Sequence, residues 1–148
     1  MDEHHQLTAD ADARRREVWA DSLGDVLASA CLEEAEAERA VGRLVQAAVS
    51  DTEYAVRESA LHAVCEAGVH YALPYVVLEP LAFHIDAFEP LLLEYVLFSL
   101  SATHDRRALR PVEPFLSHPD SGVRGEAERA VAELRACGAR SSPPCGAA

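Results

Sequence analysis

The chain has 148 residues, of which 49% are hydrophobic and 26% charged, so it is long and apolar enough to bury the core of one globular domain. These proportions argue against wholesale disorder and against a small scaffold held together by disulfides. Thirteen basic residues stand against 25 acidic ones, and the net charge of −12 disfavours binding to nucleic-acid phosphates and favours a basic protein partner.

Helix-forming residues with apolar positions three and four apart predict three helices in the first half of the chain. The first is expected over residues 9–31 as a capping helix, the second over 33–49, and the third over 53–67, where Gly68 ends it. Each of the first two helices carries an apolar stripe that predicts its buried face. These stripes are Val18, Trp19, Leu23, Val26, Leu27 and Ala30, followed by Ala40, Val41, Leu44, Val45 and Ala48.

The second half of the chain also has helical spacing, interrupted by prolines. Residues 70–83 contain Pro74 and Pro80 and are expected to form either one kinked helix or two short ones. The total is about seven helices without a strand, followed by a disordered tail at residues 139–148. Three further helices are predicted over 91–102 after Pro90, over 106–116 after the cap Asp105, and over 121–137 up to Gly138.

Two segments of the chain repeat each other at an offset of 67 residues. Residues 49–64 align with residues 116–131, and both contain a valine followed by an arginine, with alanines three and six positions after that arginine. The offset fits two helix pairs of about 33 residues each. The repeated small residues are expected to be buried where helices meet, at Val56, Ala60, Val64, Val123, Ala127 and Val131.

This pattern resembles the HEAT-like repeat, in which an acidic turn precedes Val-Arg and two spaced alanines. The match is good for the first and last repeats and poor for the middle one, which has no Val-Arg pair. The resemblance covers roughly residues 33–138 and implies an all-α fold, a short right-handed α-solenoid of antiparallel helix pairs, as a single domain over residues 1–138. It also implies a structural role for Arg57 and Arg124, which would bond turn carbonyls or a neighbouring turn acid.

No arrangement of chemically active residues indicates an enzyme or a metal site. The four cysteines form no Cys-x-x-Cys pair and have no His at ligand spacing, and Cys31 and Cys65 look like small core residues. HEAT-like hydroxylases hold iron through adjacent His-Glu pairs, which this sequence lacks, and His104-Asp105 fits a loop and a helix cap. The sequence therefore predicts no catalytic residue, no cofactor and no stoichiometric metal.

Two other HEAT-like classes bind nucleic acid or a pigment. DNA glycosylases of this type hold the duplex on a basic surface, whereas this chain is acidic and has no lysine, so no nucleic-acid partner is expected. Phycobilin lyases need a chromophore groove, which a sequence does not reveal.

No secretory signal is expected at the start of this sequence. Its first residues are polar and acidic, and prolines and glutamates interrupt every apolar stretch before the roughly 20 residues that a membrane helix needs. A cytoplasmic protein with no membrane partner is therefore predicted. Because all basic residues are arginine and asparagine is absent, the composition is typical of a GC-rich bacterial genome such as that of an actinobacterium.

In HEAT-like proteins the second helix of each pair lines a concave face, so the resemblance directs attention to the helices that begin near residues 53, 91 and 121. Acidic and aromatic side chains on their outward positions fit a protein-binding patch, although the charges also fit a solvated face and the rings also fit a core. The candidate partner-binding residues are Tyr54, Glu58, His62, Glu66, Glu94, Tyr95, Phe98, Arg129 and Glu133.

The sequence thus predicts a non-enzymatic protein-binding module. Its short acidic stack, with Glu-Tyr-x-Leu at 94–97 and Asp-x-x-Val-Arg at 120–124, resembles HEAT-like immunity proteins that neutralise bacterial toxins. This implies a basic partner such as a toxin nuclease, attracted by an acidic concave surface. An adaptor or regulatory scaffold is the first alternative, and a HEAT-like enzyme or metal protein is the second.

Overall fold

The computed structural model describes the backbone of residues 3–140 and, within that range, every side chain except those of residues 3–5, 7, 139 and 140. Seven α-helices and three short 3-10 turns lie in this range, which contains no strand, so the predicted all-α fold is confirmed. The helices are α1 (Glu3–Ala28), α2 (Glu34–Ser50), α3 (Tyr54–His70), α4 (Tyr75–Phe83), α5 (Pro90–Ala102), α6 (Leu109–Val112) and α7 (Ser121–Arg140).

The described chain divides into two compact units that separate between Ala72 and Leu73. The N-terminal unit contains α1, α2 and α3, and the C-terminal unit contains α4 to α7. Each unit has a core made mainly of leucine, valine and alanine. The single domain over residues 1–138 and its solenoid arrangement stay predictions.

In the N-terminal unit, α3 packs against both α1 and α2. Val56, Ala60 and Val64 of α3 are buried at these contacts, as the repeat predicts. The closest approach of α1 is at the buried Gly24, where an added Cβ would lie 3.1 Å from the Cβ of Ala63. Small residues therefore set the spacing between α1 and α3.

In the C-terminal unit, α7 packs against α5. Val123, Ala127 and Val131 of α7 are buried, as are Leu92 and Val96 of α5. The burial predicted from the 67-residue offset is thus confirmed at all six positions. The middle repeat keeps its apolar spacing even though it lacks the Val-Arg pair.

The bounds of α1 differ from the prediction of residues 9–31. The helix begins at Glu3 and ends at Ala28, and Ala30 lies beyond it with a positive φ of 55°. That left-handed backbone ends the helix, although glycine is the usual residue there. The prediction that Cys31 is a core residue is wrong, because its position after this helix end leaves it exposed.

The predicted apolar stripe of α1 is also partly wrong. Val18 and Val26 are exposed, whereas Ala20, Gly24 and Leu27 are buried. The buried face of α1 includes small residues, which allow α3 to approach closely. A prediction based on hydrophobicity alone does not identify such residues as buried.

Neither glycine that was predicted to end a helix does so. α3 continues past Gly68 to His70, and α7 continues past Gly138 to Arg140. A glycine ends a helix when its backbone enters the left-handed region, and that of Gly138 does not. Residues 141–148 lie outside the described range, and with them all but two residues of the predicted disordered tail.

Residues 70–83 contain one helix and do not form two short ones. α3 ends at His70, residues 71–74 are not helical, and α4 begins directly after Pro74 and continues through Pro80 to Phe83. Pro90 is the first residue of α5, as predicted, because the first turn of a helix needs no N–H from that residue.

The helix predicted over residues 106–116 is broken. Pro111 and Pro114 have no backbone N–H with which to continue the helical hydrogen-bond ladder. The predicted cap is confirmed, because the Asp105 carboxylate accepts a hydrogen bond from the backbone N–H of Arg107 at 2.9 Å. The segment consists of the 3-10 turns Arg106–Ala108 and Glu113–Ser117 on either side of α6.

None of the described helices is both long enough and apolar enough to cross a bilayer.

A bidentate ion pair fixes α1 to the turn between α2 and α3. The Arg16 guanidinium donates to both carboxylate oxygens of Asp51, from Nε at 2.7 Å and from Nη2 at 3.1 Å. Asp51 also accepts from the backbone N–H of Glu53 at 3.0 Å, and its side chain is only 10% exposed. The hydrogen bonds from Arg16, helped by that from Glu53, hold the pKa of the Asp51 carboxyl below its ordinary value.

Replacing Asp51 by Asn is expected to lower the free energy of unfolding by about 1 kcal/mol at pH 7. Because the pKa of Asp51 is lower in the folded state, this stabilisation is present above about pH 4 and is lost as the pH falls through the folded pKa. Urea unfolding at pH 7 and pH 3 measures both effects. Asp12→Asn, which disrupts an exposed pair with Arg15, is the control and should change stability by less than about 0.5 kcal/mol. An equal loss at both pH values would contradict the ionic origin.

Candidate functional site

The negative charge is concentrated in the N-terminal unit. Residues 1–72 contain fifteen acidic and six basic residues, whereas residues 73–148 contain ten and seven. The net charges are therefore −9 and −3. A surface that attracts a basic partner is accordingly expected on the N-terminal unit.

A groove of about 360 Å³ runs between α1 and α3 and is lined by acids from both helices. We call it the acidic groove. Its small size follows from the small residues where the two helices approach each other closely. The lining residues are Asp21, Gly24, Asp25 and Ala28 of α1 with Ser59, His62, Ala63 and Glu66 of α3.

Among the described side chains, only a histidine forms an ion pair with a carboxylate of the acidic groove. Among the described side chains, no arginine forms an ion pair with Asp21, Asp25 or Glu66. The one titratable cation nearby is His62, whose Nε2 lies 4.0 Å from Oε1 of Glu66 and is charged only when protonated. The groove therefore presents three carboxylates to an external positive group.

The structure brings two of the predicted α3 residues to this groove and leaves two outside its lining. His62 and Glu66 line the groove, one helical turn apart. Glu58 is half-buried on the same helix, and Tyr54 is exposed at its first turn. The Arg57 guanidinium lies 5.7 Å from the centroid of the Tyr54 ring, a cation–π contact within one helix.

The predicted α5 residues form no exposed patch. Glu94, Tyr95 and Phe98 are all half-buried, so neither ring is a fully buried core residue and neither is a freely accessible anchor. On α7, Arg129 is exposed and donates two hydrogen bonds to Glu126, at 3.0 and 2.6 Å. These bonds raise the pKa of Arg129, and the charge of Glu94 adds to the effect.

Glu133, the other predicted α7 residue, lies in a cluster that the sequence did not indicate. Its Oε1 is 3.4 Å from Nδ1 of His104 and 3.8 Å from Sγ of Cys137. The same His104 nitrogen is 3.2 Å from that sulfur. A thiol, an imidazole and a carboxylate therefore meet at one point of the C-terminal unit.

The two arginines of the repeat contact turns in different ways. Arg124 Nη1 donates to the backbone carbonyls of His118 and Pro119, each at 2.8 Å, so it bonds the turn before its own helix. Arg57 acts on the corresponding turn through charge, because it adds to Arg16 in lowering the pKa of Asp51.

Asp21 and Asp25 are functional candidates that were not predicted from the sequence. The available signal was their four-residue spacing around Gly24, which puts two acids on one side of a close helix contact.

The C-terminal unit has a cleft of about 480 Å³, lined by both apolar and charged residues and bordered by an unusually exposed ring. Phe83, at the end of α4, is 83% exposed. Pro111, Pro114 and Phe115 line the same cleft, and the Arg107 guanidinium lies 5.0 Å from the centroid of the Tyr75 ring there. Such a ring costs hydrophobic free energy unless something covers it.

Comparison with known proteins gives the fold and no family. No protein-family model and no curated protein matches the chain. It is similar to an engineered protein whose crystal structure was determined by the Northeast Structural Genomics Consortium, with 15% sequence identity and a TM-score of 0.56. That likeness covers 80% of this chain and 55% of the engineered one, so this chain spans little more than half of it. At this identity the likeness supports the helical fold alone.

Proposed function

We propose that this protein is a non-enzymatic protein-binding module of the immunity type, which binds and neutralises a basic toxin such as a nuclease. The observation that carries the proposal is the acidic groove, where no arginine among the described side chains forms an ion pair with Asp21, Asp25 or Glu66. The net charge of −9 on the N-terminal unit supports it. A toxin that acts on nucleic acid must itself be basic, so the two charge distributions are complementary.

The shape of the acidic groove suits one long cationic side chain. Its lining includes Gly24, Ala28 and Ala63, which have little or no side chain, so the methylene stem of an arginine or lysine can lie along the groove against them. Asp21 and Asp25 on one side and Glu66 on the other would accept hydrogen bonds from the charged head. An arginine is favoured because its planar guanidinium can donate to carboxylates on both helices at once.

An adaptor or regulatory scaffold is the second candidate, and the exposed Phe83 favours it. A ring with 83% of its surface accessible beside a proline-lined cleft is typical of an apolar anchor for a protein partner. Two acids and two arginines also line this cleft, so their opposite charges balance and a partner anchored on Phe83 would depend less on salt than one held in the acidic groove.

The experiment compares proteins captured from the source cell by three purified chains. The wild type is run beside a groove variant, Asp21→Asn with Asp25→Asn and Glu66→Gln. It is also run beside a control that removes the same charge from exposed acids outside both the groove and the Phe83 cleft, Asp10→Asn with Glu34→Gln and Glu128→Gln. We expect mass spectrometry to find a basic protein with the wild type and the control, and not with the groove variant.

The remaining outcomes separate the two candidate functions. Capture of one protein by all three chains, lost when Phe83 is replaced by Ala, would favour the scaffold over the immunity protein. Capture of no specific protein by the wild type would contradict both candidates.

A further inference from the structure

We propose that His104, Glu133 and Cys137 form a binding site for Zn²⁺ in the C-terminal unit. The three ligand atoms are Nδ1 of His104, Oε1 of Glu133 and Sγ of Cys137, and they lie 3.2 to 3.8 Å from one another. The sequence analysis predicts no stoichiometric metal, and this proposal departs from that prediction. It belongs to a different unit from the acidic groove, and its test is independent of the proposed function.

The separations of the three atoms match the edges of a zinc tetrahedron. Bond lengths of about 2.05 Å to nitrogen, 2.1 Å to oxygen and 2.3 Å to sulfur give ligand separations of about 3.6 Å for N–S, 3.4 Å for N–O and 3.6 Å for S–O. The corresponding distances here are 3.2, 3.4 and 3.8 Å. Shifts of a few tenths of an ångström would therefore admit the ion without a change of fold.

The chemistry of the three ligands fits zinc better than other common ions. Imidazole, thiolate and carboxylate are the protein ligands that zinc takes, whereas magnesium and calcium prefer oxygen alone. On binding, Cys137 loses its thiol proton to solvent and the sulfur donates its electron pair to the ion. The thiolate and the Glu133 carboxylate then balance the two positive charges. With zinc bound the site has no net charge. It therefore does not repel the nearby cation of Arg106, whose side chain lies against Gly138.

The backbone fixes the ligands before the ion arrives. Glu133 and Cys137 are one turn apart on the same face of α7. His104 has a positive φ of 53° between the hydrogen bond from its N–H to Ser101 and the cap made by Asp105. A left-handed backbone is unfavourable for histidine, and non-glycine residues held in it occur preferentially at functional sites. The conformation aims the ring at α7.

The site is open to solvent, with the His104 side chain 56% exposed and that of Glu133 47% exposed. Three protein ligands leave one tetrahedral position for water. The ion can therefore enter and exchange without unfolding.

The test uses the full chain, stripped with a chelator and titrated with Zn²⁺ and with Co²⁺. We expect one equivalent of zinc to bind and, at about a hundredfold excess over the dissociation constant, to raise the melting temperature by about 5 °C. Co²⁺ should give thiolate-to-cobalt charge-transfer absorption together with the visible bands of tetrahedral cobalt. Absence of both the melting shift and these bands would overturn the proposal.

Single variants separate this site from adventitious binding. His104→Gly should lose the zinc response while the metal-free protein is no less stable, because glycine accepts the positive φ. Cys137→Ser should lose the charge-transfer band, and Glu133→Gln should weaken binding at least tenfold. Cys31→Ser, at an exposed cysteine outside the cluster, should behave as the wild type. A zinc response that survives both His104→Gly and Cys137→Ser would place the ion elsewhere and overturn the assignment.

Discussion

Replacing the buried Gly24 by Leu is expected to lower the free energy of unfolding by about 3 kcal/mol, because the added side chain overpacks the contact between α1 and α3. Even a Cβ at this position would lie 3.1 Å from the Cβ of Ala63 and 3.4 Å from its Cα. The remaining carbons of a leucine have no room unless α1 moves away from α3. Such a movement would disturb the packing of Leu27 and Leu61, both fully buried.

Gly42→Leu is the matched control for this prediction. Gly42 also lies inside a helix, but nothing lies within 4 Å of the Cβ that it would gain. Leucine forms helix better than glycine, so this variant should be stabilised by about 0.5 to 1 kcal/mol. Chemical unfolding of both variants measures the difference. If Gly24→Leu is no less stable than the wild type, close packing at that crossing is not what holds α1 on α3.

The buried faces of α3 and α7 could be predicted from the sequence because both helices show helical spacing and the same repeated residue pattern. Val56, Ala60 and Val64 keep helical spacing, and the repeat 67 residues later shows the same residue types at Val123 and Ala127. Two independent copies of a pattern identify small residues as core, which hydrophobicity alone does not. The buried face of α1 has no second copy, and there the exposed Val18 and Val26 were misassigned.

Helix ends were predicted less well than buried faces. A glycine ends a helix only if its φ is positive, and the presence of a glycine in the sequence does not determine that angle. Gly68 and Gly138 can end a helix only in the left-handed conformation, and both helices continue past them. The non-glycine residues with a positive φ in the described chain are instead Ala30 and His104. Asp105 was predicted correctly because its cap is local: its carboxylate accepts a hydrogen bond from the N–H two residues further along the chain.

The candidate sites depend on contacts between distant segments, which explains what the sequence missed. His62 and Glu66 were identified from their own four-residue spacing on α3. Asp21 and Asp25 join them only because α1 folds back onto α3 across Gly24. His104 likewise lies 29 residues before Glu133, so no local ligand motif reveals the cluster. Two site residues on one helix can be predicted from their spacing in the sequence. A further site residue on another helix or loop cannot, because only the fold brings it close.

Reversing the charge of the acidic groove with Asp21→Arg and Asp25→Arg is expected to slow association with a basic partner by about 10- to 100-fold at low salt. The two residues are exposed, one turn apart, and have no ion pair within the described chain. Their substitution should therefore leave the melting temperature almost unchanged while the local potential changes sign. Stopped-flow or surface-based kinetics with the captured partner measures the rate constants.

The control is Asp10→Arg with Glu128→Arg, which changes the net charge by the same amount at exposed positions outside both the acidic groove and the Phe83 cleft. If the groove steers the partner, the control should slow association by less than about threefold, and the difference between the two variants should shrink in 0.15 M salt, where the screening length is about 8 Å. Equal slowing by both variants would mean that net charge attracts the partner without the groove. If neither variant slows association, the partner is not recognised through charge, and the Phe83 cleft becomes the surface to mutate, because an apolar anchor acts mainly on dissociation.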